Sequence, residues 1–249
     1  MSQRVTGIGV ELCFEERGQG APLLLIHGLA QDHVALLPLA ETLAGAGAGR
    51  VIAYSRRGYS PSGAPEPYDG TTVAEQAEDA ASLLAGLDAR GALAVGEGFG
   101  ALIVLDLLLR HPRLLRGAVL VDPPLFAFVP EATRALADER GRIQEAVFAG
   151  GPRAGVAAWL DGQAGAPRQG SDRERALQHH HAFFADYAGL ATLPVTRREL
   201  RAIDAPVAIV TGPSTEPHVL AAAEALAGLI QDVRRARDGD VVSAVTGLA

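Results

Sequence analysis

Apolar residues follow two different periods along the chain, and these periods predict a succession of strands and helices. Short unbroken apolar runs are typical of strands that are buried on both faces. Such runs lie at residues 23–26, 51–54, 92–95 and 117–121. Between them, apolar residues recur every three to four positions, as on one face of a helix. These helical patterns lie at residues 34–43, 73–87 and 101–109. Regular alternation of strand and helix implies a parallel, doubly wound sheet.

The pattern changes near both ends of the chain and after the strand at 117–121. Residues 7–16 alternate loosely and stop at two glycines, which indicates an antiparallel edge hairpin or a bent first strand. Residues 125–200 carry helical patterns broken by Gly and Pro, without a strand-like run. Strands and a helix then resume at residues 207–210, 233–236 and 219–229. We predict one domain over residues 1–249, with a helical insertion after the sixth strand and a closing helix that is brief or absent.

A sharp strand-to-helix turn is predicted where three glycines follow each other at alternate positions. The stretch from Leu93 to Leu108 reads LAVGEGFGALIVLDLL, so a buried strand meets Gly96, Gly98 and Gly100 before a helical period begins. Such a turn forces its tip residue into a strained conformation, and side chains at the flanking positions would strike neighbouring backbone. The spacing therefore places Gly98 at the tip.

This turn resembles the nucleophile elbow, G-x-S-x-G, of the α/β-hydrolase superfamily. Further family-like motifs occur in the expected order, namely HGLA at 27–30, RRGYSPS at 56–62 and VDPP at 121–124. The resemblance implies an α/β-hydrolase fold in which residues 125–200 form a helical lid over the carboxyl ends of the strands. Gly98 stands where the family has its serine, and glycine has no hydroxyl to attack a carbonyl group.

The resemblance also identifies the positions of the other two members of the triad. The family histidine follows the last strand, where this chain has Asp240, and no histidine occurs after His218. The acid of one subset of the family follows an earlier strand, where Asp122 lies. Because both the serine and the histidine are replaced, ordinary serine hydrolysis is not expected.

The oxyanion hole, by contrast, is expected to be retained. By resemblance, its donors are the backbone N–H of Leu29 or Ala30, in the loop that opens with His27 and Gly28, and the N–H of Phe99. None of these donors depends on a serine side chain. Each donor of this kind can contribute about 3 kcal/mol to the stability of a developing oxyanion, including an enolate.

Four side chains near the predicted strand ends are candidates for moving a proton. If a lid excludes water from Asp240, its pKa would be raised and it would act as a base. Alternatively, Asp240 is an exposed aspartate in a turn. His33 and His218 begin helices next to the site, where a histidine is otherwise a surface residue. Asp122 is either a vestigial acid or a simple strand cap.

The remaining pocket candidates have structural alternatives. Tyr54, Ser55 and Tyr59 border the predicted site either as hydrogen-bond donors or as packing residues. Glu97 adjoins Gly98, although packing sideways into the sheet is favoured for it. The three histidines at 179–181 do not predict a metal site, because neighbours on a helix project about 100° apart and cannot converge on one ion. We expect neither a metal nor another cofactor.

Composition excludes several classes of partner. The net charge of −7 and the pI near 5.5 argue against nucleic-acid binding, and no apolar run is long enough to span a membrane. The single cysteine, Cys13, excludes an intramolecular disulfide, and the absence of lysine excludes Schiff-base chemistry. The N-terminus does not resemble a signal peptide, which predicts a cytoplasmic protein. The oligomeric state stays open.

These features favour a non-hydrolytic enzyme on this fold. We expect a cyclase, isomerase or lyase that acts on an apolar carbonyl-containing small molecule, in the biosynthesis of a specialised metabolite. One alternative is a catalytically silent protein that binds a small molecule or a partner in the same pocket. A weaker alternative is a hydrolase in which Asp240 or His218 activates water directly. The sequence does not identify the substrate.

Overall fold

An eight-stranded sheet forms the centre of the protein. The computed structural model describes residues 3–248. The strands are β1 (Gln3–Thr6), β2 (Glu11–Arg17), β3 (Pro22–Ile26), β4 (Arg50–Tyr54), β5 (Ala92–Glu97), β6 (Leu115–Val121), β7 (Val207–Val210) and β8 (Val233–Ala236). Their order across the sheet is β1-β2-β4-β3-β5-β6-β7-β8. Strands β3 to β8 run parallel, whereas β1 and β2 form an antiparallel edge.

The central strands are buried because they are apolar on both faces. Leu24 of β3 lies in register with Ile52 of β4 and with Ala94 of β5, and none of the three side chains is exposed. Parallel strands covered on both faces favour such unbroken apolar runs. The parallel sheet predicted from these runs is therefore confirmed.

Ten helices connect or extend the strands in the described part of the chain. They are α1 (His33–Gly45), α2 (Val73–Gly86), α3 (Phe99–Arg110), α4 (Ala132–Gly150), α5 (Pro152–Gly162), α6 (Ser171–Gln178), α7 (His180–Gly189), α8 (Arg197–Arg201), α9 (Pro217–Ala227) and α10 (Val241–Thr246). A single 3-10 turn at Phe126–Phe128 precedes α4. None of the described helices is both long and apolar enough to cross a membrane.

Helices cover both faces of the sheet, so the doubly wound architecture is also confirmed. Helices α2, α3 and α9 pack on one face and contribute Ala77, Leu102 and Leu226 to its apolar core. Helices α1 and α10 pack on the other face and contribute Leu43 and Val245. The closing helix α10 has only six residues.

The hairpin at the start of the chain lies slightly earlier than the sequence indicated. It consists of β1 and β2, and residues 7–10 form its turn. The N–H of Gly7 donates to the carbonyl oxygen of Val10 at 2.8 Å. The alternation that begins near residue 7 therefore belongs to the turn and to the second strand.

The helices α4 to α8 form one insertion between β6 and β7. We call residues 125–200 the insertion. It has a small apolar core that contains Ile143, Val156 and Phe183, and Ala30, from the loop after β3, packs into this core. Since that loop follows the carboxyl end of a central strand, the contact places the insertion over the carboxyl ends of the strands.

Candidate active site

Gly98 occupies the tip of the turn between β5 and α3. Its backbone has φ +53° and ψ −118°, a combination that costs a residue with a side chain about 1–3 kcal/mol. A Cβ at Gly96 would lie 2.3 Å from the carbonyl oxygen of Gly100, and one at Gly100 would lie 2.3 Å from that of Ile26. A Cβ at Gly98, in contrast, would meet no atom beyond its chain neighbours nearer than 3.9 Å. The turn therefore has room for a side chain at a tip that carries none.

Two backbone N–H groups beside Gly98 have no hydrogen-bond acceptor within residues 3–248. They belong to Leu29, in the loop after β3, and to Phe99, the first residue of α3. The N-cap residue of α3, Gly98, makes no side-chain cap hydrogen bond, and the first turn has no acidic residue, so the positive end of the helix dipole faces the cavity. Leu29, Gly98 and Phe99 line one cavity. This arrangement suits an oxygen atom that gains negative charge.

The N–H of Ala30 has a different direction. Ala30 has φ +54°, and its N–H is directed at the phenolic oxygen of Tyr59. The sequence offered either Leu29 or Ala30 as the donor from this loop. The geometry supports Leu29.

His27 anchors the oxyanion loop, which we define as residues 27–31. Its Nδ1 lies 2.9 Å from the carbonyl oxygen of Gly28, and its Nε2 accepts the N–H of Arg56 at 3.0 Å. Because Nε2 is an acceptor, the proton of the neutral ring lies on Nδ1. Burial and the charge of Arg56 lower the pKa of His27 well below its ordinary value. His27 is thus a neutral structural group that lies behind the cavity wall.

Gln31 links the oxyanion loop to the carboxyl group of Glu97. Its Oε1 accepts the N–H of Gly28 at 3.1 Å, and its Nε2 donates to Glu97 Oε1 at 3.3 Å. Burial raises the pKa of Glu97 against the effect of this hydrogen bond, and the charge of Asp122 raises it further. The sequence favoured a sideways, structural position for Glu97. The structure corrects this, because Glu97 lines the cavity.

Asp122 lies at the end of the neighbouring strand, since Glu97 pairs with Val121 across β5 and β6. Its φ of +46° is uncommon for a residue with a side chain. Its Oδ1 accepts the hydroxyl of Thr215 at 2.6 Å. Burial raises the pKa of Asp122, and the bond from Thr215 offsets part of the effect. Two carboxyl groups with raised pKa values therefore lie beside the turn that carries Gly98.

A cavity of about 550 Å³ separates these groups from the insertion. Its polar floor contains the open tip, the two N–H donors and the two carboxyl groups. Its apolar wall contains Phe126, Leu136, Trp159, Leu160 and Leu190. A cavity of this size, with a few convergent polar groups, suits a small-molecule ligand.

Asp240 lies outside the cavity lining and corrects the expectation of a desolvated base. It is exposed and begins α10, where its Oδ1 accepts the N–H of Ser243 at 2.9 Å. Hydrogen bonds from Ser243 lower the pKa of Asp240, because they favour the ionised carboxylate. The side chain of Asp240 therefore caps a solvent-exposed helix end and is not a base buried beneath the insertion.

The two candidate histidines have different surroundings. His33 is buried, its Nδ1 lies 2.8 Å from the hydroxyl of Ser55, and it does not line the cavity. This placement does not support a catalytic role for His33, since the ring faces the loop after β4. His218 does line the cavity, where its ring lies 5.4 Å from that of Phe126. Of these two candidates, His218 shares the cavity with Gly98 and His33 does not.

Tyr54, Ser55 and Tyr59 lie behind the oxyanion loop and not in the cavity wall. All three are fully buried. The hydroxyl of Tyr59 donates to Asp186 of α7 at 2.7 Å, while that of Tyr54 has no partner within residues 3–248. The expectation that they border the site is corrected, because the insertion covers the loop that carries Tyr59.

His179 is a cavity residue that the sequence analysis did not select. It lies between α6 and α7, is 9% exposed and lines the cavity. Its Nδ1 has no hydrogen-bond partner among the described residues, and burial lowers the pKa of the ring. The sequence predicted that the histidine run lines or surfaces the lid, but it did not single out His179. No group of three or more metal-ligating side chains is found in residues 3–248.

Comparison with known proteins agrees with this architecture. A family model described as the alpha/beta hydrolase fold matches residues 21–216. YraK of Bacillus subtilis, named an uncharacterized hydrolase, is 33% identical over 117 residues, which are 47% of this chain and 42% of YraK. The chain spans less than half the length of the curated relatives that it matches.

Solved structures share the fold over almost the whole chain. An alpha/beta hydrolase from Sphaerobacter thermophilus has a TM-score of 0.78 at 22% identity, and the match covers 98% of this chain and 97% of that one. A thermophilic esterase from Thermogutta terrifontis has a TM-score of 0.73 at 22% identity, covering 98% and 93%. Together with the sheet order and the turn at Gly98, the family match shows that this chain belongs to the alpha/beta hydrolase fold family.

Proposed function

We propose that this protein is a hydrolase that works without a covalent intermediate, because a water molecule held at Gly98 attacks the carbonyl carbon of a small substrate. The observation that carries the proposal is the open tip of the turn. Gly98 has strained backbone angles and free space for a side chain, and it shares a cavity with two free N–H donors and two carboxyl groups. In this interpretation, Gly98 and Asp240 replace the serine and the histidine of the family.

The first step uses the two backbone donors. The carbonyl oxygen of the substrate would accept hydrogen bonds from Leu29 and Phe99. Attack on the carbonyl carbon leaves negative charge on that oxygen, and donors already in place stabilise the charge without reorganising. Each donor contributes about 3 kcal/mol to such a transition state. These donors recognise a carbonyl group and do not require a serine.

Glu97 and Asp122 would move the protons. One carboxylate accepts a proton from the water while the water oxygen bonds to the carbonyl carbon. The other group, still protonated, gives a proton to the leaving group when its bond to that carbon breaks. Solvent then restores the two protonation states, so atoms and charge balance. Raised pKa values suit this pair, because they allow a protonated and an ionised carboxyl group to coexist closer to neutral pH.

The name of a relative also supports this reaction class, since YraK of Bacillus subtilis is named an uncharacterized hydrolase. Hydrolysis is therefore our first candidate, ahead of the cyclase, isomerase and lyase reactions that the sequence favoured. Of the proton carriers expected from the sequence, this proposal keeps Asp122 and uses Glu97 in place of Asp240.

The second candidate is a non-hydrolytic enzyme of the isomerase, cyclase or lyase type. The pair of carboxyl groups favours it, because two groups of raised pKa can pass a proton between carbon atoms beside a carbonyl group. The same N–H donors would then hold an enolate oxygen. This candidate needs no water at Gly98.

Binding of a hydrated ketone tests the first candidate directly. 1,1,1-Trifluorohexan-2-one is largely hydrated in water, and its hydrate resembles the tetrahedral species formed by water attack. With the intact protein, 19F NMR should show a bound hydrate and no hemiketal signal. Gly98→Ala should weaken hydrate binding at least about 10-fold, because the methyl group fills the space for the attacking oxygen. Gly141→Ala, inside α4 and with no atom within 4 Å of the added Cβ, should bind like the wild type.

Turnover distinguishes the candidates. Hydrolysis of p-nitrophenyl butyrate in H2 18O should place 18O in butyrate without an initial burst of p-nitrophenol. Deuterium uptake at the α-carbon of pentan-2-one in D2O, without ester hydrolysis, would favour the second candidate. Binding of the ketone with neither reaction would identify a catalytically silent binding protein. Absence of both binding and turnover would overturn the proposal.

A further inference from the structure

A fully buried ion pair joins the insertion to the loop after β4. Arg56 lies in that loop and Asp186 lies on α7, and their Nη2 and Oδ2 atoms are 2.7 Å apart. Their side chains are 1% and 0% exposed. Burial opposes the charge of Arg56, but Asp186, together with Tyr59 and Tyr54, more than offsets burial, so the pKa of the guanidinium is raised. Burying two charges is costly unless further hydrogen bonds satisfy them, so their other partners are informative.

The remaining oxygen and nitrogen atoms of the pair are satisfied by the core. Gln76 of α2 accepts from Arg56 Nη1 at 2.6 Å and donates to Asp186 Oδ1 at 2.6 Å. Tyr59 donates to Asp186 Oδ2 at 2.7 Å. The pair therefore belongs to a hydrogen-bonded network between α7 and the core, and Asp186 does not line the cavity.

The same guanidinium holds the oxyanion loop. Arg56 Nε donates to the carbonyl oxygen of His27 at 3.1 Å, and Nη2 donates to that of Gly28 at 2.8 Å. The Gly28–Leu29 peptide is trans, so the Leu29 N–H points opposite to the Gly28 carbonyl. Since the Gly28 carbonyl oxygen faces Arg56, the Leu29 N–H faces away from Arg56. Rotating this one peptide would remove the donor.

We propose that Asp186 and Arg56 form a clamp through which the insertion sets the direction of the Leu29 N–H. The role of that N–H as an oxyanion donor rests on the proposed function. Asp186 is a positioning residue in this scheme, because it reaches the oxyanion loop through Arg56 and, by way of Tyr59, through the N–H of Ala30, without contacting the donor itself. The oxyanion hole then depends jointly on the core and on α7.

The test removes the clamp while keeping the interior filled. Arg56→Met with Asp186→Leu replaces the ion pair by apolar side chains, a change that buried pairs often tolerate without loss of stability. Asp186→Asn is the second variant, which keeps the shape and removes the charge. The matched control is Arg57→Met with Asp79→Leu. Arg57 and Asp79 form a neighbouring buried pair, with Nε and Oδ2 2.6 Å apart, and within residues 3–248 their side chains bond to each other, to Ile8 and to Glu75 and not to the oxyanion loop.

Two measurements are made on each protein. The 15N–1H residual dipolar coupling of Leu29 reports the direction of its N–H without any ligand. 19F NMR compares the affinity for hydrated 1,1,1-trifluorohexan-2-one with that for 1,1,1-trifluorohexane, which has no oxygen. We expect the clamp variants to change the Leu29 coupling and to lose about 10-fold in hydrate affinity, with affinity for the alkane unchanged. The control pair should change neither.

The outcomes separate this inference from the proposed function. An unchanged Leu29 coupling in a folded clamp variant overturns the inference, whatever the ligand does. A wild-type protein that binds no hydrate overturns the proposed function, while the coupling still decides the clamp. An equal loss of affinity for hydrate and alkane would show general damage to the cavity and would also count against the clamp.

Discussion

One added methyl group at each glycine of the elbow should have graded effects on stability. In Gly98→Ala, the nearest atom to the new Cβ beyond its chain neighbours is the Cα of Gly28 at 3.9 Å, which is an ordinary contact. The cost is therefore the backbone strain at φ +53°, about 1–3 kcal/mol. For a chain of this length, 1 kcal/mol lowers Tm by about 2–4 °C. We expect Tm to fall by about 2–12 °C.

Gly100→Ala should have a much larger effect. Its Cβ would lie 2.3 Å from the carbonyl oxygen of Ile26 and 2.8 Å from that of His27. Both atoms belong to the backbone, so α3 would have to move away from β3. Such overpacking belongs with the few single substitutions that cost about 4 kcal/mol or more. We expect a fall in Tm of at least about 8 °C, or an insoluble protein.

Gly141→Ala is the matched control for the added methyl group. Gly141 lies inside α4, has no positive φ, and a Cβ there would have no neighbour within 4 Å. Alanine is favoured over glycine in a helix by about 1 kcal/mol, so this variant should gain stability. Circular dichroism at 222 nm during heating, supported by urea titration, measures all three variants.

The ranking is what the reasoning depends on. If Gly98→Ala lost as much stability as Gly100→Ala, the tip would not have room for a side chain. If Gly98→Ala were as stable as the wild type, the backbone at the tip would not strain a residue that has a side chain. Either result would also weaken the proposal that a water occupies this position.

Three further predictions concern single side chains. Glu97→Gln should be more stable than the wild type at pH 8 but not below pH 4. The raised pKa of Glu97 makes its ionisation costly in the folded state, and this cost appears as the pH rises past the ordinary value of 4.5. Urea titrations at both pH values measure the difference in the free energy of unfolding. Asp240→Ala should slightly lower Tm and leave p-nitrophenyl butyrate hydrolysis unchanged, whereas lost hydrolysis would restore Asp240 as a proton carrier. Tyr59→Phe should lower the free energy of unfolding by about 1–3 kcal/mol in urea, because the buried carboxylate of Asp186 loses a donor; an unchanged value would mean that water replaces it.

The fold was predictable because its signals are local. Each central strand, such as β3 or β5, is an unbroken apolar run, and each core helix shows a helical period next to it. Glycine is required at positions 96 and 100 for a local reason as well, since a Cβ at either position would collide with adjacent backbone. Sheet, turn and insertion therefore followed from short windows of sequence.

The side chains at the site were less predictable because their environments depend on distant segments. The choice of Leu29 over Ala30 follows from the bond of the Ala30 N–H to Tyr59, which the apolar pattern does not encode. Glu97 is hydrogen-bonded by Gln31 across 66 positions of sequence. Asp186 meets Tyr59 across 127 positions. No periodicity reports such contacts, so they emerged only from the structure.

The placement of Asp240 explains why a proton carrier should be sought elsewhere. A histidine after β8 would serve a nucleophile at the tip of the turn, but Gly98 offers none, and the exposed Asp240 caps α10 instead. The carboxyl groups of Glu97 and Asp122 depend on neither position, because β5 and β6 end side by side and bring them to the cavity. Chemistry at this site would therefore rest on the rigid centre of the sheet, where the backbone donors also lie.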